Sequence, residues 1–244
     1  MTVTFNSTRT LRDTIESVLA QSYPNIEHVV IDGGSSDGTV ELLRELESRY
    51  GGRLKWTSEP DYGIYDAMNK GVALASGDIV GILNSDDLYA STGAVAQVVD
   101  AFNTSKCDAV YADLVYVDRE DTQKITRTWI AGEGDYLKGW SPPHPTLYVS
   151  KQLYEKVGEY RRDYKIASDY DFMLRAFLIG SACAIYLNDV IVKMRRGGES
   201  TRSFASNRLG FTEAQNSLRE LGVKNPTLVN ILRVLRKVRQ FAAR

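Results

Sequence analysis

Two carboxylates stand side by side at Asp86 and Asp87, directly after the apolar run Ile79-Val80-Gly81-Ile82-Leu83. Adjacent acids repel unless a cation or hydrogen-bond donors compensate. Magnesium and manganese prefer oxygen ligands, and magnesium commonly takes one or two carboxylates together with substrate phosphates. A two-acid site therefore suits a metal–diphosphate complex better than a closed structural cage. Asn84-Ser85-Asp86-Asp87 is also good turn sequence, so a plain strand-to-loop turn is the alternative. A second acidic pair, Asp169 and Asp171, flanks Tyr170 where a helical pattern begins. A carboxylate held at a fixed helix end can serve as a general base. The helix dipole alone also favours acids in a first turn. Of the two, Asp169 is the expected base.

Asp32 ends another apolar strand and opens the loop Gly33-Gly34-Ser35-Ser36-Asp37-Gly38-Thr39. Its carboxylate can accept from a base or a ribose, with Asp37 or Ser36 left to cap the next helix. The loop is neither GxGxxG nor GxxxxGK[ST], so dinucleotide and Walker-type readings fail. His144, between prolines and near Trp140, reads as a substrate contact or a satisfied loop histidine; without partner ligands it is no metal site. His28, inside a strand, reads as structural. Arg195-Arg196-Gly197-Gly198 reads as a phosphate clamp or a solvated turn.

These residues need elements to bring them together. Short apolar runs begin at Thr2, Ile26, Leu54, Ile79 and Ala109, and amphipathic helical patterns separate them. Such β-α alternation predicts a parallel sheet covered by helices. Right-handed crossovers then place the carboxyl ends of the strands on one edge, where open α/β sheets bind ligands. Asn6, Asp32, Glu59 to Asp61 and Asp86-Asp87 all follow strands. The second half changes rhythm: a hairpin around Asp118 to Asp121, a turn-rich stretch from Gly139 to Pro145, short helices at Lys151 to Val157 and Asp169 to Leu178, an extended run from Ala184 to Met194, and a helix from Phe204 to Leu221. In the tail, Leu228, Ile231, Leu232, Leu235, Val238 and Phe241 recur at helical spacing among Arg233, Arg236, Lys237, Arg239 and Arg244. A basic amphipathic helix of this kind lies on anionic lipid, or docks on its own domain or a second subunit. The division expected is a parallel-sheet half over 1–115, a second half of the same domain over 116–222, and the basic helix over 223–244.

The 244 residues are 43% hydrophobic and 25% charged, an ordinary globular composition. A net charge of -1 gives no overall reason to expect nucleic acid. Cys107 and Cys183 lie far apart without CxxC spacing, and buried reduced thiols are expected; a cytoplasmic location follows from them. No apolar run approaches the ~20 residues of a membrane span.

Taken in order, Thr4-Phe5-Asn6, Val30-Ile31-Asp32-Gly33-Gly34-Ser35-Ser36-Asp37-Gly38-Thr39, Glu59-Pro60-Asp61, Asp66-Ala67-Met68-Asn69-Lys70-Gly71, Leu83-Asn84-Ser85-Asp86-Asp87 and Ser168-Asp169-Tyr170-Asp171 resemble the family 2 glycosyltransferases. The resemblance runs from about Thr2 to Ser200, and is nearest to the branch that assembles bacterial surface polysaccharides such as O-antigen, capsule and colanic acid. It implies a GT-A fold: a Rossmann-like, mostly parallel sheet with helices on both faces, a smaller α+β acceptor side and a C-terminal helix. It implies that Thr4, Asn6 and Asp32 hold the nucleoside, that Asp61 sits beside base or ribose, and that Asp87 ligates Mn2+ or Mg2+. Asp86 would face the ribose or metal-bound water, Asp169 would be the base, and His144 would lie near the acceptor with Trp140. Asn84 stands where many members carry Asp, Met68 where many carry Arg, and Ser168 where Glu is usual; Lys70 is then the expected diphosphate contact.

The implied reaction is inverting transfer from a nucleoside diphosphate sugar to a hydroxyl of a glycan or lipid-linked acceptor, at the inner membrane surface, by a monomer or homo-oligomer. The alternatives are a non-catalytic nucleotide-sugar-binding module and a sugar nucleotidyltransferase. The second needs a Gly-rich basic loop after the first strand, where Asn6-Ser7-Thr8-Arg9 stands instead.

Overall fold

The computed structural model describes residues 1–197 and 204–242. Gly198, Ser200 and Arg244 lie outside the described residues, as do the side chains of Val238, Arg239 and Phe241. Three parallel strands open the chain: β1 (Thr2–Thr4), β2 (His28–Asp32) and β3 (Leu54–Ser58). The helices α1 (Leu11–Leu19), α2 (Thr39–Glu47) and α3 (Ile64–Leu74) make the crossovers. All five residues of β2 are buried, as expected of a strand covered on both faces. α1 buries Leu11, Ile15 and Val18, a stripe at i, i+4 and i+7. Within β2, His28 is hydrogen-bonded to the Thr2 hydroxyl at 2.9 Å and the Tyr50 hydroxyl at 2.6 Å, which fits its structural reading.

The apolar run that leads to the acidic pair becomes β4 (Ile79–Gly81). It joins the first sheet through Met1, whose nitrogen donates to the Gly81 carbonyl at 2.7 Å and whose carbonyl accepts from the Leu83 N–H at 2.9 Å. Gly71 on α3 makes room for this: a Cβ there would lie 2.1 Å from the Met1 Cε.

Beyond β4 the sheet is mixed. β5 (Leu88–Tyr89), α4 (Ala94–Ser105), β6 (Ala109–Val117) and β7 (Ile125–Trp129) follow. Then come β8 (Tyr148–Ser150), α5 (Lys151–Val157) and α6 (Ser168–Leu174), the last continued by a π turn over Arg175–Ile179. β9 (Ala184–Arg195), α7 (Phe204–Glu220) and α8 (Pro226–Ala242) complete the described chain. The strand order is β4-β8-β6-β9-β5, with β7 paired to β6 as the expected hairpin. Of these pairs only β6 with β9 is parallel.

The uninterrupted parallel alternation read from the sequence therefore stops at β4. The antiparallel β8 inserts between β4 and β6 because a Tyr148 ring fits where Gly81 has no side chain; a Cβ on Gly81 would meet that ring at 2.2 Å. One core cluster runs through both halves, from Val3 and Ile31 to Phe172, Leu218 and Val229. Cys107 is buried as expected, whereas Cys183 is exposed, and both are free thiols. Among the described residues, no helix is long and apolar enough to cross a membrane.

Burial holds the His28 imidazole down at about 3, against about 6.5 in an unfolded chain. Between those values unfolding takes up a proton. The stability present above pH 6.5 is therefore lost as pH falls, by about 1.4 kcal/mol per unit. Urea unfolding between pH 7 and 5 is expected to show this slope, and His28→Gln to flatten it. An unchanged slope in the variant would mean that the proton is taken up elsewhere.

Candidate active site

Three strand ends build one wall. Thr4, Asp32 and Ser58 lie in register across β1, β2 and β3. Asp32 is fully buried, and its carboxylate accepts from the Gly34 and Ser35 N–H groups and from the Ser35 and Ser58 hydroxyls, at 2.5–3.1 Å. It therefore shapes its own loop, and a base would reach it only by replacing one of these hydroxyls. Asn6, at φ 48°, accepts from the Ser36 N–H at 3.0 Å through its side chain. The Thr4 hydroxyl is buried without a partner. Asp37 caps α2: one oxygen accepts from the Thr39 N–H and the other from the Thr8 N–H, both at 3.1 Å. Although burial opposes it, the Thr39 and Thr8 donors hold the Asp37 carboxyl down at about 2.

Asp61 lies directly over Gly33, where a Cβ would stand 2.6 Å from its Oδ2. Two aromatic side chains that the sequence reading passed over sit here. Phe5 is 62% exposed beside Gly33, and Tyr62 is 91% exposed next to Asp61. Exposed rings at a ligand edge are the signal that could have found them. Lys70 is paired with Glu59 at 2.8 Å and with Asp66 at 3.5 Å. Its ammonium, the expected diphosphate contact, is thus already paired with two carboxylates.

The acidic pair lies beside this wall, its loop joined to the end of β1 by the contact between the Ser85 and Ser7 hydroxyls at 2.9 Å. Asp87 is 1% exposed. Its Oδ1 accepts from the Arg195 N–H at 3.2 Å, and Asn84 Nδ2 donates to its Oδ2 at 3.4 Å. Burial and then the neighbouring Asp86 charge push the Asp87 carboxyl well above its ordinary range, and burial raises Asp86 as well. Two further contacts fix the backbone: the Thr14 hydroxyl of α1 donates to the Asp87 carbonyl at 2.8 Å, and Arg195 donates to the Asp86 carbonyl at 2.9 Å. Arg195 is 4% exposed, pairs with Asp13 and also donates to the Arg119 carbonyl. It is thus neither a solvated turn nor a phosphate clamp; its guanidinium is filled by the protein.

The second acidic pair lies at the start of α6, and the two members differ. Asp171 is 2% exposed and accepts from Arg175 Nε at 2.8 Å. Asp169 is partly exposed; its Oδ1 accepts from the Tyr170 N–H at 2.8 Å and the Tyr65 hydroxyl at 3.4 Å. No ion pair engages it among the described residues. Its loop is held by Glu213 of α7, whose carboxylate accepts from the N–H groups of Lys165, Ile166 and Ala167 at 2.8–2.9 Å. His144 is hydrogen-bonded to the Tyr160 hydroxyl at 3.1 Å, and burial lowers its pKa while the Asp169 charge opposes the shift. Tyr160 in turn stacks on Tyr65, whose hydroxyl donates to Asp169. Trp140 does not reach this space. It is 9% exposed, its indole N–H donates to the Ala131 carbonyl, and its ring packs on Tyr111 and Tyr136. It is a core residue, and the acceptor contact expected of it gives way to this packing.

The model of glycosyl transferase family 2 matches residues 1–181. The chain belongs to glycosyl transferase family 2. It is 39% identical over 187 residues to an uncharacterised glycosyltransferase of Mycobacterium tuberculosis, covering 73% of this chain and 68% of that one. It is 27% identical over 199 residues to a PGL/p-HBAD biosynthesis glycosyltransferase of Mycobacterium bovis, covering 80% and 75%.

Among solved structures, S. aureus TarS 1-349 in complex with UDP-GlcNAc superposes with a TM-score of 0.72 at 16% identity, covering 99% of this chain and 72% of that one. The mannosyltransferase PcManGT of Pyrobaculum calidifontis, in complex with GDP-Man and Mn2+, gives 0.68 at 18% identity, covering 99% and 72%. Against a longer TarS structure the chain spans 39% of the partner's length, with a TM-score of 0.64. These likenesses establish the GT-A fold.

The glycosyltransferase has no group of three or more His, Cys, Asp or Glu that could hold a metal among the described residues. Its acidic loop nevertheless fits a hard cation. The Asn84 Oδ1 is a buried acceptor without a partner, beside the two carboxylates. An all-oxygen set of that size leaves positions for phosphate oxygens and water.

Proposed function

We propose that this family 2 glycosyltransferase moves a sugar from a nucleoside diphosphate sugar to a hydroxyl of a glycan or lipid-linked acceptor, with inversion. The observation that carries the reading is the contrast at the start of α6. Asp171 is committed to Arg175, while Asp169 is partly exposed and has no ion pair among the described residues. An acceptor hydroxyl is a poor nucleophile until a base takes its proton. A base opposite the leaving group gives attack from the far face of the sugar, as the carboxylate geometry of inverting glycosidases does. Phe5, Asp61 and Tyr62 would bind the nucleoside, with Thr4, Asn6 and Asp32 framing its pocket. Asp87, Asp86 and Asn84 would hold Mn2+ or Mg2+, which supplies Lewis-acid stabilisation of the leaving diphosphate. The UDP-GlcNAc and GDP-Man complexes of the structural neighbours support such a donor, and the Mn2+ supports the metal. The division of labour follows the halves 1–115 and 116–222.

Calorimetric titration with UDP-, GDP- and dTDP-sugars, with and without manganese, tests the reading. One sugar nucleotide is expected to bind and to be slowly hydrolysed only with the metal. Binding of none would overturn it.

The M. bovis relative is named for PGL/p-HBAD biosynthesis, which supports a surface glycoconjugate as the product class. α8 supports peripheral attachment at the inner membrane surface. Leu228, Ile231, Val234 and Leu235 are 40–55% exposed on it, with Arg236 and Lys237 also exposed nearby. Ile231→Ser with Leu235→Ser is expected to abolish sedimentation with anionic liposomes and leave the melting temperature unchanged. Undiminished sedimentation would remove lipid contact, and a change from dimer to monomer would assign the stripe to a second copy.

A further inference from the structure

The first turn of α3 reaches two separate parts of the site. Asp66 accepts from the N–H of Tyr62, the exposed ring next to Asp61, at 3.3 Å. Its neighbour Tyr65 donates its hydroxyl to Asp169 Oδ1 at 3.4 Å, across 104 residues of chain. Successive residues on a helix point about 100° apart, so one turn serves both segments.

Tyr65 is 6% exposed, and its ring is held in place from the side. It stacks on Tyr160, with centroids 6.0 Å apart and planes at 21°. Tyr160 is itself anchored. Asn69, one turn along α3, exchanges two hydrogen bonds with the Tyr160 backbone at 2.8 and 2.9 Å. The Tyr160 hydroxyl is bonded to His144 and to Tyr154, both at 3.1 Å. Burial, and then the Asp169 charge, keep the Tyr65 phenol well above its ordinary range. Its proton stays, and toward a carboxylate the hydroxyl can only donate.

Both contacts to Asp169 fall on one oxygen. Oδ1 accepts from the Tyr170 N–H at 2.8 Å and from Tyr65, while Oδ2 accepts no hydrogen bond among the described residues. The Tyr65 contact is long for an O–H···O bond, as catalytic contacts in an unliganded site commonly are.

We propose that Tyr65 is a positioning residue for the transfer: it holds Asp169 by Oδ1, so that Oδ2 is the oxygen that takes the acceptor's proton. The inference deepens the proposed function and rests on it. In the step, the acceptor oxygen bonds to the anomeric carbon and its proton passes to Oδ2. The bond from that carbon to the diphosphate oxygen breaks, and the diphosphate leaves with the electron pair. A carboxylate held by one N–H can still turn about its bond to the chain. A second donor on the same oxygen fixes which oxygen is presented, and small losses of such alignment cost rate. Because Tyr65 stands beside Asp66 on α3, the base is placed relative to the Tyr62 loop and not to its own loop alone.

The test uses the full chain with manganese and UDP-glucose, UDP-GlcNAc, GDP-mannose or dTDP-rhamnose. Water stands in for the acceptor hydroxyl, and release of the nucleoside diphosphate is read. On the sugar nucleotide that the wild type cleaves fastest, Tyr65→Phe keeps the ring and its stack. It should lower kcat about tenfold or more with KM unchanged, the low end for a hydrogen bond to a charged group. In an Asp169→Asn chain, which should itself be slow, the same substitution should have no further effect. Full kcat in Tyr65→Phe, or an undiminished further loss in the double variant, would overturn the role. A urea-unfolding cycle needs no ligand. The combined effect of Tyr65→Phe and Asp169→Ala on the unfolding constant should differ from the product of the single effects by roughly twofold or more. Effects that simply multiply would overturn the contact. Asp169→Asn at full rate, or a wild type that cleaves none of the four, would sink the transfer reading itself. A slowed Asp169→Asn beside an unaffected Tyr65→Phe would sink the positioning role alone.

Discussion

A chain carrying Asp169→Asn is expected to lose sugar transfer by roughly 10²–10⁴-fold, the range for removing a positioned general base, and to bind its sugar nucleotide as before. The amide keeps the size of the side chain and its contacts to the Tyr170 N–H and the Tyr65 hydroxyl. Only the ability to take a proton is lost. Asp171→Asn, two residues away, is expected to do the reverse. It weakens a buried pair with Arg175, whose guanidinium also donates to the carbonyls of Val157, Gly158 and Glu159. Leaving one member of a buried pair uncompensated costs about 3–5 kcal/mol, so this variant should melt early and retain turnover per folded molecule. Thermal melts and single-turnover assays on both variants separate the roles. Full transfer by Asp169→Asn would remove it as the base.

The second large effect is expected at the acidic loop. Asp87→Ala should abolish manganese-dependent donor binding, a loss of more than about 100-fold, since removing even an outer partner of a metal ligand costs about 10–100-fold. Such an outer partner is present. Arg195 gives its N–H to Asp87 and its guanidinium to the Asp86 carbonyl. Arg195→Met keeps the N–H to Asp87 and removes only the guanidinium from the Asp86 and Arg119 carbonyls, and should therefore weaken manganese roughly 10–100-fold. Calorimetric titration of manganese in the presence of donor reads both variants. Donor binding that keeps its manganese dependence in Asp87→Ala would exclude Asp87 as the ligand.

The sequence made the strand ends legible, because each is an apolar run closed by polar loop residues: Asn6 after β1, Asp32 after β2, Asp61 after β3 and Asp86 after β4. Helix positions were legible by the same local means, and α6 and α8 begin within a residue or so of where periodicity puts them. What could not be read was made by distant partners. β8 is three residues long and is defined by Gly81 and Tyr148, far apart in the chain. The difference between Asp169 and Asp171 was legible but not drawn: Arg175 follows Asp171 by four residues, the spacing of a helical ion pair. Arg195 and Glu213 each act on a segment at least 46 residues away, and no period or motif announces that. Trp140 was assigned to the acceptor by proximity in sequence to His144, while the fold turns its indole into the core.

The clamp made by Arg195 also bears on how the chain acquires its site during synthesis. Arg195 follows Asp86 by 109 residues and Asp13 by 182. At about 5–20 residues per second of translation, the acidic loop emerges some 5–20 s before the residue that will hold it. In that interval the Asp87 carboxylate lacks the Arg195 N–H and the Asp86 carbonyl lacks the guanidinium. A nascent chain halted before β9 would thus have its acidic loop exposed without the residue that holds it, so that loop is completed late in synthesis.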